Sequence, residues 1–393
     1  MSDTTTTPKR SRWLFWKRRK TAASPTKDES FYRAGQWQLV WWKFRRHKLA
    51  QIAIAVLGVF YFIAIFAEFI SPHDPQKRFK DFTSMSPTRI HLRDAQGNFH
   101  LPFVYAITRE RDPITLLPIY KEDTNTRLPI KLFARGDEYK FWRLFTSNFH
   151  LFGVETPGDL IRPIFLLGSD TMGRDVLSRI FFGGRISLTV GLVGVFMAFI
   201  MGIVLGGIAG FFGGVVDEVI MRIIDVLIAL PLIPLWMSLA AALPQDWPQL
   251  RVYFYVTIIL SIFGWTTLAR TVRGRMLSLR EEDYVMAAKL DSETEWQIIS
   301  RYMLPGFTSY IIVALTLAIP AMILGETSLS FLGIGLRPPT ISWGVMLQDA
   351  QNIQVIAQLP WLLWPVVFVV LAVLMFNFLG DGLRDAADPY TTG

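Results

Sequence analysis

The sequence predicts an all-α polytopic membrane protein of about six transmembrane helices, with one small β-rich insert outside the bilayer. Three observations predict it. Apolar runs of about 20 residues recur along the chain, each long enough to cross a hydrocarbon core. Mean hydropathy is +0.34 and 51% of residues are hydrophobic, whereas a soluble protein of this length buries its core with interrupted, amphipathic segments. Basic clusters (Lys9-Arg10, Lys17-Arg18-Arg19-Lys20 and Arg45-Arg46-His47-Lys48) stand just before the first apolar run, the pattern of a segment held on the cytoplasmic side.

The net charge of +8 is concentrated in that tail. It reads as a topology signal rather than a nucleic-acid surface, because a span follows at once. The absence of cysteine excludes disulfides, Cys-ligated metal sites and thiol nucleophiles. The basic region is too long for a cleavable leader and no small-residue cleavage site follows it, so the first span is read as a retained anchor.

Taken in order, residues 1–48 form a basic cytosolic tail that ends in an interfacial helix bearing Trp37, Trp41, Trp42 and Phe44. Residues 49–71 are the first span, closed by Ser71-Pro72-His73-Asp74-Pro75. Residues 72–165 are the extracytoplasmic insert. Arg89–Arg93 alternates, Gln96-Gly97-Asn98 turns and Phe99–Tyr105 returns, which predicts a hairpin; Leu117–Lys121 and Leu128–Ala134 suggest another. Residues 166–393 form the membrane core, with spans at 186–210, 216–242, 252–272, 307–332 and 360–380 and a cytosolic loop at 273–306. That loop carries Arg273, Arg275, Arg280, Lys289 and Arg301, in keeping with positive-inside placement, and both termini fall inside.

The loop has its own pattern. Glu281–Leu290 predicts one helix, in which the small Ala287 and Ala288 would let another surface approach the backbone. Ser292-Glu-Thr-Glu295 has capping-box spacing for a second helix. Trp296, Ile299 and Met303 recur at helical spacing and would rest on the membrane domain; Pro305 suits the first turn of the next span.

Charges near the spans are costly and call for partners. Arg222 and Asp225, three apart on one helix, are expected to pair as a brace, with gating as the lesser alternative. Glu326, near the outer end of the fifth span, either accepts hydrogen bonds from a neighbouring helix or lines a pathway. Asp170, Arg174, Asp175 and Arg179 lie at helical spacing and are read as an interfacial ion-pair set orienting an amphipathic helix; Asp381, Arg384 and Asp385 are read the same way at the last span. Gly202, Gly206, Gly207 and Gly210 suggest close helix packing, and Pro320 a kink or a freed carbonyl.

The loop resembles the "EAA" loop of ABC-importer permeases, whose pattern is Glu-Ala-Ala, then Gly, then Leu-Pro. Ala287, Ala288, Leu304 and Pro305 match, Met286 replaces the Glu and Ser292 the Gly, with Asp283 and Tyr284 just upstream. Three further stretches resemble the dipeptide/oligopeptide/nickel branch: Leu167-Gly168-Ser-Asp170-Thr-Met-Gly173-Arg174-Asp175-Val-Leu-Ser-Arg179 with Gly184-Arg185-Ile-Ser187; Gly325-Glu326 through Gly333 to Ser342-Trp343-Gly344; and Leu379-Gly-Asp381-Gly-Leu-Arg384-Asp385 with Asp388-Pro389. Singly each is weak; the four in order are specific. The enlarged insert is not part of the compact family pattern.

That resemblance implies a type I ABC importer permease fold in a bacterial inner membrane. It implies a second, homologous permease subunit, two ATP-binding subunits that hold ATP and Mg, and a periplasmic substrate-binding protein. It also implies that Asp283, Tyr284, Ala287, Ala288, Ser292, Leu304 and Pro305 couple the ATPases to the spans. The implied cargo is di- or oligopeptides, with nickel chelates or oligosaccharides as alternatives. This chain itself has no G-x-x-x-x-G-K-[ST] phosphate loop, and no cofactor is assigned to it. The readings from other classes are a stand-alone channel or secondary carrier and a membrane-bound enzyme. A carrier places ionisable groups mid-span and an intramembrane enzyme brings a catalytic pair to one depth; here the charges cluster near span ends.

Overall fold

The computed structural model describes residues 36–111, 113, 118–142, 144–154, 163–244 and 246–387. The basic clusters at Lys9-Arg10 and Lys17–Lys20, Leu117 of the expected second hairpin and the Asp388-Pro389 pair lie outside the described residues.

Helix α1 (Gln36–Phe44) buries Phe44 and leaves Trp41 and Trp42 exposed. His47 caps α2 (Lys48–Ile65), its Nδ1 accepting from the Ala50 amide at 3.1 Å. The first span breaks at Phe66 and resumes as α3 (Ala67–Ile70). The core then comprises α4 (Val176–Phe212), α5 (Gly214–Ala229), α6 (Leu232–Ala241) and α7 (Gln249–Leu279). After the loop come α10 (Thr308–Phe331), the short α11 (Trp343–Gln348) and α12 (Ile353–Gln358), and α13 (Trp364–Ala387).

Among the described residues five helices are long and apolar enough to cross a membrane; a sixth span exists only if α5 and α6 count as one, and they are bent by 87°. The expected continuous span at 216–242 is therefore a broken one. The cause is local: Pro231 lacks an amide proton and pushes Leu230 into the extended region (ψ 138°), so the helical ladder stops there. Pro320, by contrast, lies inside an unbroken α10.

Close packing of α4 on α7 organises the bundle. A Cβ at Gly206 would stand 2.4 Å from the Ala269 carbonyl oxygen and one at Gly210 2.5 Å from Met276 Cβ. Gly202 meets Leu268 in the same way, whereas Gly207 has room. The small-residue stripe is thus 202, 206 and 210, one residue per turn.

The insert is a four-stranded antiparallel sheet in the order β1 (His91–Arg93), β2 (Phe99–Arg111), β3 (Pro118–Phe141), β4 (Phe145–Val154). The β1–β2 hairpin forms where the sequence predicts it, with the Asp94 carboxylate accepting from the Gln96 and Asn98 amides in the turn. The second expected hairpin does not form. Residues 118–141 are one long strand whose first half pairs with β2 (Leu128↔Val104) and whose second half pairs with β4 (Leu132↔Phe152). The polar Asp123–Thr126 stretch, which reads as a turn, is absorbed as a bulge: the Asp123 carboxylate takes hydrogen bonds from the Asn125 amide and the Thr126 hydroxyl. The sheet closes on its own small core of Val104, Ala106, Leu128 and Ile164.

The insert and the loop after α7 sit at opposite ends of α4. Ser178 accepts from the His73 amide at one end and Phe211 packs on the loop at the other. Thirty-three helical residues at about 1.5 Å each put these contacts about 50 Å apart.

Candidate coupling surface and buried polar nodes

Helix α7 continues to Leu279, so the loop proper starts at Arg280, and its first helix, α8, spans Asp283–Leu290 rather than beginning at Glu281. The chain then turns into α9 (Glu295–Gln297), a π-turn at Ile298–Met303 and a 3-10 turn at Leu304–Phe307 that holds Pro305 and leads straight into α10. The loop has two faces. Val285, Ala288, Ile298, Met303 and Phe307 are buried and share one apolar core with Phe211 of α4, Val272 and Met276 of α7 and Ile311 of α10. Tyr284, Met286, Ala287 and Leu290 face out, and so does Trp296, at 70% exposure.

This arrangement corrects three expectations. The Ala pair is split: Ala288 is an inward packing residue and only Ala287 is presented outward. Trp296 does not rest on the membrane domain, whereas Met303 does; the π-turn shifts the register, so that Ile298, five residues before Met303, is buried with it and Ile299 is only half-buried. Ser292 is not a helix cap. Its φ is +60°, and the capping box is formed by Thr294 with Gln297. Ser292 stands just past the end of α8, in the left-handed conformation that usually calls for glycine. That is the physical reason for a Gly at this place in the pattern it resembles.

Beside α8 lies a cleft of about 510 Å³ lined by Phe211, Arg280, Met286, Lys289, Glu293 and Ile298. The Lys289 ammonium sits 5.7 Å from the Phe211 ring centre. Nearby, Arg273 grips Asp217 through Nε (2.6 Å) and Nη2 (2.5 Å), tying the end of α7 to the start of α5. Fifty-six residues separate the two in sequence, and no local pattern signals the pair.

Arg222 and Asp225 do not pair. Asp225 bonds Arg270 of α7 at 2.7 Å, because α5 lies against α7 and Arg270 reaches the carboxylate across the interface. Glu326 is fully buried and holds three elements together. Ser187 of α4 donates to one carboxylate oxygen (3.0 Å) and Ser330 to the other (2.8 Å). Ser187 also accepts from the Trp343 amide of α11 (3.2 Å), and the Trp343 indole donates to the Ile180 carbonyl (3.0 Å).

The 168–175 stretch is a buried turn, not an amphipathic helix. Gly168 (φ +83°) and Gly173 (φ +74°) take left-handed conformations, and α4 starts only at Val176, N-capped by Asp175. Within the turn, Asp170 accepts from Arg174 Nε (2.6 Å), Arg179 Nη1 (2.9 Å) and the Met172 amide (2.9 Å). Asp170 and Arg179 are 3% and 2% exposed, so this is an interior ion-pair node rather than an interfacial set. At the far end, Asp385 lies 3.6 Å from His47, and Asp381 and Arg384 are exposed on α13.

The insert is seated through His73, whose amide bonds Ser178 and whose ring bonds the Ile164 backbone. Burial pushes the His73 pKa down to about 4; Asp137 and the Ile164 carbonyl oppose the shift, and Lys77 and His150 add to it.

Comparison with known proteins places this geometry. Residues 202–392 match the family model of the binding-protein-dependent transport system inner membrane component, and residues 35–87 match the N-terminal transmembrane domain of oligopeptide transport permease C. The chain is 40% identical over 224 residues to the dipeptide transport system permease protein DppC of Bacillus subtilis, covering 56% of this chain and 68% of the relative. It is 41% identical over 224 residues to the glutathione transport system permease protein GsiD of Pectobacterium atrosepticum (57% and 72%), and 36% identical over 223 residues to the oligopeptide transport system permease protein OppC of Bacillus subtilis (56% and 70%). A solved structure of the MetNI methionine ABC transporter aligns with a TM-score of 0.41 and 16% identity, over 53% of this chain and 97% of that one. Five to six apolar helices, a two-faced loop and 40% identity across 68% of a curated permease lead to one assignment: this chain belongs to the family of binding-protein-dependent transport system inner membrane components, the membrane-embedded permeases of ABC importers.

Proposed function

We propose that this chain is the permease subunit of an ATP-driven importer that moves di- or oligopeptides across a bacterial inner membrane. The observation that carries the coupling half of this reading is the two-faced loop. Its outward apolar residues, Tyr284, Met286, Leu290 and Trp296, have no use in water, and its inward residues share a core with α4, α7 and α10. A partner that grips the outer face moves the three spans with it, because packed interiors shift as units rather than deform. The peptide cargo is inferred from the relatives, whose names specify dipeptide, oligopeptide and glutathione transport.

In this reading two ATP-binding subunits hold ATP and Mg beneath the loop, a second homologous permease completes the bundle, and a periplasmic binding protein delivers cargo on the side of the insert. Both termini and the loop are cytoplasmic, which suits the basic Arg280, Lys289 and Arg301 on that end. Asp283, Ala287, Leu304 and Pro305 belong to the docking segment; Ala288 packs beneath it and Ser292 turns the chain at its end.

The experiment is a pair of outward substitutions, Ala287→Glu and Leu290→Glu, in the assembled transporter. The expected result is loss of cargo-stimulated ATP hydrolysis and of uptake, with unchanged membrane insertion and thermal stability. Normal stimulation in both variants refutes the docking role. Competition of labelled dipeptide uptake by a nickel chelate or an oligosaccharide, but not by peptides, would reassign the cargo.

A further inference from the structure

At the tip of the β3–β4 hairpin the structure describes Phe141, Trp142, Leu144 and Phe145, all aromatic or apolar; the sequence adds one charge, Arg143, a residue type whose apolar stem and charged head suit a membrane boundary. Trp142 is 49% exposed, Leu144 80% and Phe145 58%. The tip does not project into open space. It lies against the first span, where the Phe141 ring stacks on Phe66 at 5.9 Å and the Trp142 indole donates to the Ile65 carbonyl at 3.0 Å. Behind it, the Phe133 ring meets Phe69 at 6.2 Å.

The break at Phe66 explains why these contacts exist. The Phe69 amide bonds Phe66 rather than Ile65, so the Ile65 carbonyl lacks its helical donor. An unpaired carbonyl in hydrocarbon is expensive. Trp142 fills that place together with Arg185, which donates to the Ile65 carbonyl (3.2 Å) and the Ala64 carbonyl (2.8 Å) and holds Glu68 by two bonds. The Arg185 guanidinium also lies 4.4 Å from the Trp142 ring centre.

Depth follows from helix geometry. Ile65 is sixteen residues beyond Leu49, where the basic run ends and the apolar run begins, so it lies about 24 Å along the helix axis. A hydrocarbon core is about 30 Å thick. Trp142, level with Ile65, is therefore inside or at the edge of that core, not above it. The α2 surface next to it (Val59, Phe62 and Ile65) is exposed in the chain and is the lipid-facing side of a span. The exposed apolar surface of the tip is continuous with it.

We infer that the hairpin-tip residues Phe141, Trp142, Leu144 and Phe145 form a membrane anchor, set in the headgroup–acyl boundary of the lipid leaflet on the insert's side and packed beside the first span. Tryptophan at this level, with its indole N–H satisfied and its ring in the boundary, is the arrangement that favours interfaces. The β1–β2 hairpin is built differently. Phe99 and Leu101 are as exposed (70% and 82%), but they adjoin the Phe103↔Pro129 pair, whose Pro129 is about 40 Å of strand from Phe141. Their neighbours are charged: Arg93 lies over the Phe99 ring, and Asp94 binds His100 and Arg127. That hairpin belongs in water. The inference does not depend on the cargo or on the coupling loop.

The chain contains no cysteine, so single thiols report without background. Leu144→Cys and Leu101→Cys, each carrying a nitroxide label, would be reconstituted as the full chain in phospholipid vesicles, and collisions with oxygen and with a water-soluble nickel chelate measured. The expected result is a label at position 144 that meets oxygen freely and the chelate about tenfold less than the label at 101. Equal chelate access at the two positions overturns the anchor. A label at 144 shielded from both reagents also overturns it, since protein rather than lipid then covers the tip. A second label at Phe145→Cys is expected to repeat the result for Leu144→Cys.

Discussion

The loop after α7 and the β-sheet insert are both excursions out of the bilayer, yet they are attached in opposite ways. The loop has no core of its own: Val285, Ala288, Ile298 and Met303 are buried only because α4, α7 and α10 complete the cluster around them. The insert carries a separate core of Val104, Ala106, Leu128 and Ile164 and touches the spans through polar groups and a few aromatic rings. A region that shares its core with spans cannot move without them. A region with a private core can be enlarged or removed at little cost to the bundle. One family model covers the whole loop, whereas the strands of the insert fall between the two models.

The sharpest way to break the comparison is at the joint between the two worlds. The Asp170 backbone accepts from the Ser84 amide of the insert side while its carboxylate holds the buried Arg179. Asp170→Ala leaves Arg179 uncompensated and is expected to cost about 3–5 kcal/mol, read as a lowered unfolding midpoint of the whole protein in detergent. Next come two truncations of similar size, Met303→Ala and Leu128→Ala, each expected to cost about 2–5 kcal/mol. They should differ in reach: Met303→Ala lowers the main transition, whereas Leu128→Ala speeds hydrogen exchange only in the strands of the insert. If both depress the main transition equally, the insert is not energetically separate.

Acidification probes the insert's seat. Burial pushes His73 from an ordinary value near 6.5 down to about 4. Between those values the unfolded chain binds the proton and the folded one does not, so stability rises with pH across the window. The contribution is complete above about pH 6.5 and lost as pH falls through about 4, amounting to about 3 kcal/mol at most. Exchange protection of the strands should fall more steeply over that range in the natural protein than in His73→Gln; the same profile in both removes His73 as the seat.

The smallest effect is a gain. Ser292→Gly relieves a left-handed backbone at φ +60° and should raise the melting point by the equivalent of about 1 kcal/mol. A loss instead would show that the serine side chain contributes more than its backbone strain costs.

Much of this molecule was legible in advance, and the particular residues show why. Spans are written locally, since a bilayer of fixed thickness demands long apolar runs and every backbone group must bond within its own helix. The β1–β2 hairpin was legible through its turn, and the loop through Leu304-Pro305 and the Ala pair. The break between α5 and α6 was also written, in Pro231, but a hydropathy average passes over a single residue. Partners of buried charges were not written. Asp225 chose Arg270 over Arg222, three residues away, and Asp217 found Arg273. Local spacing shows which pairs are possible on one helix, not which neighbour packs closer.

By itself, then, the chain determined that it lives in a membrane, how many times it approaches crossing it, and between which spans its polar excursions lie, because each follows from short-range pattern against a uniform solvent. Only the tertiary structure decided which of two adjacent alanines faces outward, that residues 118–141 run as one strand through a polar stretch, and that the tip of that strand returns to the first span. Those outcomes depend on surfaces brought together from residues far apart in sequence, and no local pattern encodes a partner that arrives only on folding.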